Sequence, residues 1–75
     1  MEGIWIRSQN RDWLVFTKAI HVKQTEHGGG VLYAMLLADN LLLGRYYTVG
    51  RAKEILDEIQ TTAARGTRIY EMPEA

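Results

Sequence analysis

The chain has no cysteine, a single proline at position 73, and no surplus of charge, since nine Lys and Arg offset nine Asp and Glu. Each of these shortages excludes something. Without cysteine there is no disulfide framework, no thiolate metal site and no thiol nucleophile. Zero net charge removes the basic excess on which electrostatic nucleic-acid binding depends, so nucleic acid is not an expected partner. Long apolar runs are missing too. The longest, Val31 to Ala38, is far short of the roughly 20 residues that span a bilayer. Met1-Glu2 also places an acid where a signal peptide carries basic residues. A cytosolic protein without a membrane partner is the expectation.

Catalytic and metal-binding patterns are equally scarce. Neither His21 nor His27 has a carboxylate or a second histidine at ligand spacing, and no HExxH segment occurs. Glu54 and Glu58 lie four residues apart, which reads as solvated helix charge. His27-Gly28-Gly29-Gly30 precedes a strand, whereas phosphate-binding glycine loops open a helix. No cofactor, no metal and no enzymatic activity are expected.

What is present suits one small domain. At 75 residues and 47% hydrophobic content, the chain is too apolar to be disordered, yet it buries at most about 60% of its unfolded surface. The first half alternates with a period of two. Ile4 and Ile6 fall on one face of a strand, with Trp5 and Arg7 on the other. Ser8 to Asp12 forms a polar turn. Trp13–Thr17 and Ala19–Gln24 read as two short strands or one long strand bent near Lys18, with Leu14/Phe16 and Ile20/Val22 alternating. The glycine run is a hairpin connection between Ala19–Gln24 and a strand over Val31–Ala38. A tight turn at Ala38-Asp39-Asn40 leads into a strand over Leu41–Tyr47.

The period then changes. Ala52, Ile55, Leu56, Ile59 and Ala63 form one stripe of a helix over Val49–Arg65, with Thr48 as N-cap and Gly66 at C′. Thr67 to Met72 resumes alternation and Pro73 ends it, as suits an edge strand. The fold class is α+β: an antiparallel sheet of five to six strands with one helix on one face, in the order β-β-β-β-β-α-β.

Val31–Ala38 and Leu41–Leu43 are apolar on both faces, so both faces require cover. One helix covers about two strands on one side. A strongly curled sheet that wraps onto itself is the alternative; the expectation is that a second copy covers the remaining face and the protein is a homo-oligomer. Tyr33, Met35, Leu37, Trp5 and Trp13 are the candidate interface residues.

Ile4-Trp5-Ile6-Arg7-Ser8-Gln9, then Leu42-Leu43-Gly44-Arg45-Tyr46 leading into the Ile55-Leu56-Asp57-Glu58-Ile59 helix, then Ile69-Tyr70-Glu71-Met72-Pro73-Glu74, occur in this order. The arrangement resembles a group of short phage and prophage proteins of Gram-positive bacteria. The resemblance implies a phage protein acting in the cytoplasm of the infected host. Where those relatives usually carry an acid in the first helical turn, this chain has Val49-Gly50-Arg51.

That substitution marks the candidate ligand site. A helix start favours negative charge, and Gly50 with Arg51 and the nearby Arg45 composes an anion site for a phosphate or carboxylate. Arg7, and Tyr47 beside Arg45, belong to a set of interleaved cations and aromatics able to stack on nucleotides or to anchor an interface. Charge is also segregated, +3 over residues 1–53 (seven basic, four acidic) and −3 over 54–75 (two basic, five acidic). Three functions fit these features. One is a non-enzymatic counter-defence inhibitor that sequesters a nucleotide signal or blocks a host defence protein. The others are a nucleic-acid-binding regulator and a virion structural or assembly component.

Overall fold

The computed structural model describes residues 3–75. Met1 and Glu2, read above against a signal peptide, lie outside the described residues. The elements are β1 (Ile4–Arg7), β2 (Leu14–Thr17), β3 (Ile20–Gln24), β4 (Gly30–Met35), β5 (Asn40–Tyr46), α1 (Val49–Ala64) and β6 (Ile69–Glu71). This is the α+β order expected from the two periodicities. The six strands divide into two three-stranded sheets, β2-β1-β6 and β3-β4-β5. β1 pairs antiparallel with β2 and parallel with β6, which is an edge strand; the other sheet is antiparallel throughout.

One core joins the layers. Ile4 and Ile6 of the first sheet, Leu32 and Ala34 of the second, and Ala52, Ile55 and Ile59 of the helix are all buried together with Met72. The helix packs on β3, β4 and β5. Thr48 caps it, its hydroxyl accepting the Arg51 amide at 3.0 Å, and Gly66 ends it at φ +82°. At Gly30 the helix comes so near that a Cβ would lie 2.5 Å from that of Ala52 and 2.9 Å from the Thr48 carbonyl oxygen. The glycine run therefore does more than turn the chain, because its last member lets the helix start seat on β4.

The two sheets are also linked along both sides. At the β2–β3 corner, the Thr17 hydroxyl donates to the Ala19 carbonyl and the Met35 amide donates to that same oxygen. On the other side Gln9 behaves as a short extra strand against β5. Its amide donates to the Leu43 carbonyl at 2.8 Å, its side-chain oxygen accepts the Arg45 amide, and its side-chain nitrogen donates to the Arg45 and Glu74 carbonyls. Unpaired backbone at a sheet edge is thereby satisfied by one glutamine.

The long apolar runs are accommodated differently from a flat two-faced strand. β4 ends at Met35, three residues earlier than its apolar run, because Leu36 and Leu37 enter the turn closed by the Leu36 amide on the Asp39 carbonyl. In β5 a bulge between the Leu32–Gly44 and Tyr33–Leu42 pairs leaves Leu43 without an opposite residue. Leu43 and Gly44 are both buried as a result, so three consecutive leucines need not alternate strictly across the sheet.

Candidate functional site

The helix start is occupied from within the chain. Val49 donates its amide to the Gly28 carbonyl, and the Arg51 and Ala52 amides go to the Thr48 hydroxyl and carbonyl. The Arg51 guanidinium donates to the main-chain oxygen of Ala75 at 3.1 and 3.3 Å and lies 3.5–3.6 Å from Glu58 and Glu54. Gly50 is exposed, but Arg51 beside it holds the chain's own acceptors. Arg7 lies on β1 in the β2-β1-β6 sheet, whereas Arg45 and Tyr47 lie in and just after β5, and Gly50 and Arg51 in the first turn of α1.

Arg45 and Tyr47 do gain neighbours that the sequence does not advertise. Register places Lys23, Val31 and Arg45 in one row across β3-β4-β5, and His21, Tyr33 and Leu42 in the next. These side chains point away from the core, since Val22 and Ile20 pair with the buried Leu32 and Ala34 on the opposite face. Val31 is buried between its two cationic neighbours, which fits aliphatic stems lying along it while the charged ends stay in water. Lys23 and Arg45 stand two strand spacings apart, about 10 Å at the backbone. Neither side chain has an ion-pair or hydrogen-bond partner among the described residues. No strand of this sheet contains an Asp or Glu.

Two aromatic features complete this basic face. Tyr47 follows β5 at the same alternation as Arg45 and is 92% exposed. The His21 and Tyr33 rings lie with centroids 5.5 Å apart, and His21 Nε2 is buried without any hydrogen-bond partner. An unpaired buried polar atom costs about 1–3 kcal/mol, so this corner is under-satisfied in the free protein. Lys23 and His21 were legible only as members of a strand; it takes the β3–β4 register to set them beside Arg45.

The candidate interface residues are similarly dispersed. Tyr33 and Met35 belong to the basic face, Leu37 is fully exposed in the β4–β5 turn, Trp5 lies on the outside of β1, and Trp13 just precedes β2. Beside Trp5 and Phe16 a shallow cleft of roughly 780 Å³ runs toward the helix C-terminus, with Gly3, Ala63 and Gly66 in its walls and Arg68 at its rim. Beneath the sheets, Tyr46 donates its hydroxyl to the Pro73 carbonyl at 2.7 Å and Tyr70 donates to Glu58 at 3.0 Å. Burial raises the pKa of both hydroxyls above the ordinary tyrosine value, and at Tyr70 the Glu58 carboxylate adds to it.

No group of three or more His, Asp or Glu is placed to hold a metal among the described residues. Among the described residues, no helix is long and apolar enough to cross a membrane. Comparison with protein-family models, with curated proteins and with solved structures found no match to this chain.

Proposed function

We propose that this is a small non-enzymatic binding protein of phage type that holds a nucleotide-like anion on the outer face of β3-β4-β5, and by sequestering that signal blunts a host defence. The observation that carries the reading is the row Lys23–Val31–Arg45 on a sheet without a single acidic residue, with Tyr47 exposed beside it. Phosphate groups would be held by the two cations, and a base would stack on Tyr47 through its π face. Binding needs no catalytic group, in keeping with the lack of any acid–base motif in the sequence.

The experiment is a thermal-shift screen of the whole chain against cyclic di- and trinucleotides and ADP-ribose. A ligand of this face stabilises the protein by about 2.7 kcal/mol at a hundredfold excess over Kd. The double variant Lys23→Glu/Arg45→Glu should abolish the shift while leaving the unliganded unfolding temperature nearly unchanged, because both side chains are exposed and unpaired. The reading fails if no compound in the screen shifts the protein, or if the shift survives the double substitution. Binding of oligonucleotides with a steep salt dependence would favour the regulator instead.

A further inference from the structure

The outer face of β2-β1-β6 carries a contiguous set of exposed apolar side chains. Phe16, Trp5 and Ile69 form one row across the three strands, and Leu14, Arg7 and Glu71 form the next. Leu14, Phe16, Trp5 and Ile69 are 47, 46, 41 and 53% exposed. Trp5 and Phe16 meet edge to face with centroids 5.3 Å apart, a rigid aromatic pair held open to solvent. Contiguous apolar side chains rimmed by charge are what a docking surface presents, and Trp, Arg and Phe are the residue types enriched there.

The two charges indicate what covers it. Arg7 and Glu71 are register neighbours on adjacent strands and have opposite signs, yet no ion pair joins them among the described residues. A partner of uniform charge would leave one of them opposed by its own sign. A second copy related by a two-fold axis along the strands, midway between β1 and β6, sets Arg7 over the partner's Glu71 and Glu71 over the partner's Arg7. The same axis lays Trp5 on the partner's Ile69, leaving Phe16 and Leu14 at the rim. An axis on β1 itself would bring the two Arg7 side chains together. We infer that the protein associates as a two-fold dimer through the outer face of β2-β1-β6, with reciprocal Arg7–Glu71 pairs flanking a Trp5–Ile69 centre. Trp5 and Ile69 at the centre with Phe16 and Leu14 at the rim offer at most on the order of 400 Å² per copy, about half of a standard interface, so the dimer is a weak one that forms only as concentration rises. It leaves the Lys23–Arg45 face free on each copy and does not depend on what that face binds.

Sedimentation velocity on the whole chain from about 1 to about 300 µM tests this. The mass should rise from monomer to dimer across that range. Arg7→Glu and Glu71→Arg should each weaken dimerisation about tenfold or more, because each sets like charges opposite one another. The double swap Arg7→Glu/Glu71→Arg should restore it to within about threefold of the original. Trp5→Ser should abolish dimerisation, with far-UV circular dichroism confirming the fold. A monomer at the highest concentration, a dimer indifferent to both single substitutions, or a double swap no better than the singles would overturn the inference.

Discussion

At the scale of single residues, the positions that matter most are ones whose neighbours are remote in sequence. Gly30 is the sharpest case. A methyl group there would meet the Ala52 Cβ and the Thr48 backbone, neither of which is the free end of a flexible side chain. Gly30→Ala should therefore lower stability by about 1–3 kcal/mol, seen as a fall in the urea midpoint with little change in slope. His21 predicts the opposite sign. Replacing it with phenylalanine keeps a ring against Tyr33 while removing the buried, unpaired Nε2. His21→Phe should raise the stability of the free protein by about 1 kcal/mol, measured by thermal unfolding. In the sequence these two residues read only as part of a glycine-rich turn and as a polar position in a strand.

Among the elements, the helix was the most legible. A stripe at 3.6-residue spacing, a threonine before it and a glycine after it predict Val49–Arg65, and α1 spans Val49–Ala64. The cap is testable. Thr48→Ala removes the acceptor of the Arg51 amide and should cost about 1 kcal/mol, whereas Thr48→Ser should cost little. Matched urea melts of the two variants separate loss of the hydroxyl from loss of packing. Strands were legible in number and order but less so in extent and facing. Apolar content alone carried β4 on to Ala38, whereas the Leu36–Asp39 turn ends it at Met35. In β2 it is Val15 and Thr17 that turn inward, so Leu14 and Phe16 point to solvent. Alternation fixes which residues share a face, and only packing chooses which face is inside.

For the molecule as a whole, the two raised tyrosines set an alkaline limit. In the unfolded chain tyrosine loses its proton near pH 10. In the folded protein Tyr46 and Tyr70 hold theirs to higher pH, because burial disfavours the phenolate at both and Glu58 does so further at Tyr70. Above about pH 10 the folded state thus binds more protons than the unfolded state, so stability falls as pH rises and is unaffected by these groups below that value. Urea midpoints measured from pH 8 to pH 11 should fall steeply above pH 10, and less so in Tyr70→Phe, which cannot ionise. At this scale too, the charge segregation seen along the chain becomes local. The β3-β4-β5 sheet carries cations without acids, while the acids Glu54 and Glu58 gather around Arg51.

The sequence by itself determined the fold class, the order of the elements, the helix with both its ends, and the need to cover strands that are apolar on two sides. These follow from periodicity and local backbone chemistry, which act over a few residues. Tertiary structure decided the division into two sheets, the parallel pairing of β1 with β6, and the stitching of Gln9 to β5 across 36 residues of sequence. It also decided the candidate site. Arg51, marked by its place at a helix start, meets Ala75, Glu54 and Glu58, while Lys23 and Arg45 flank Val31 in one row of a sheet whose strands contain no acid. Register and long-range pairing bring such groups together, and a linear pattern carries no record of either.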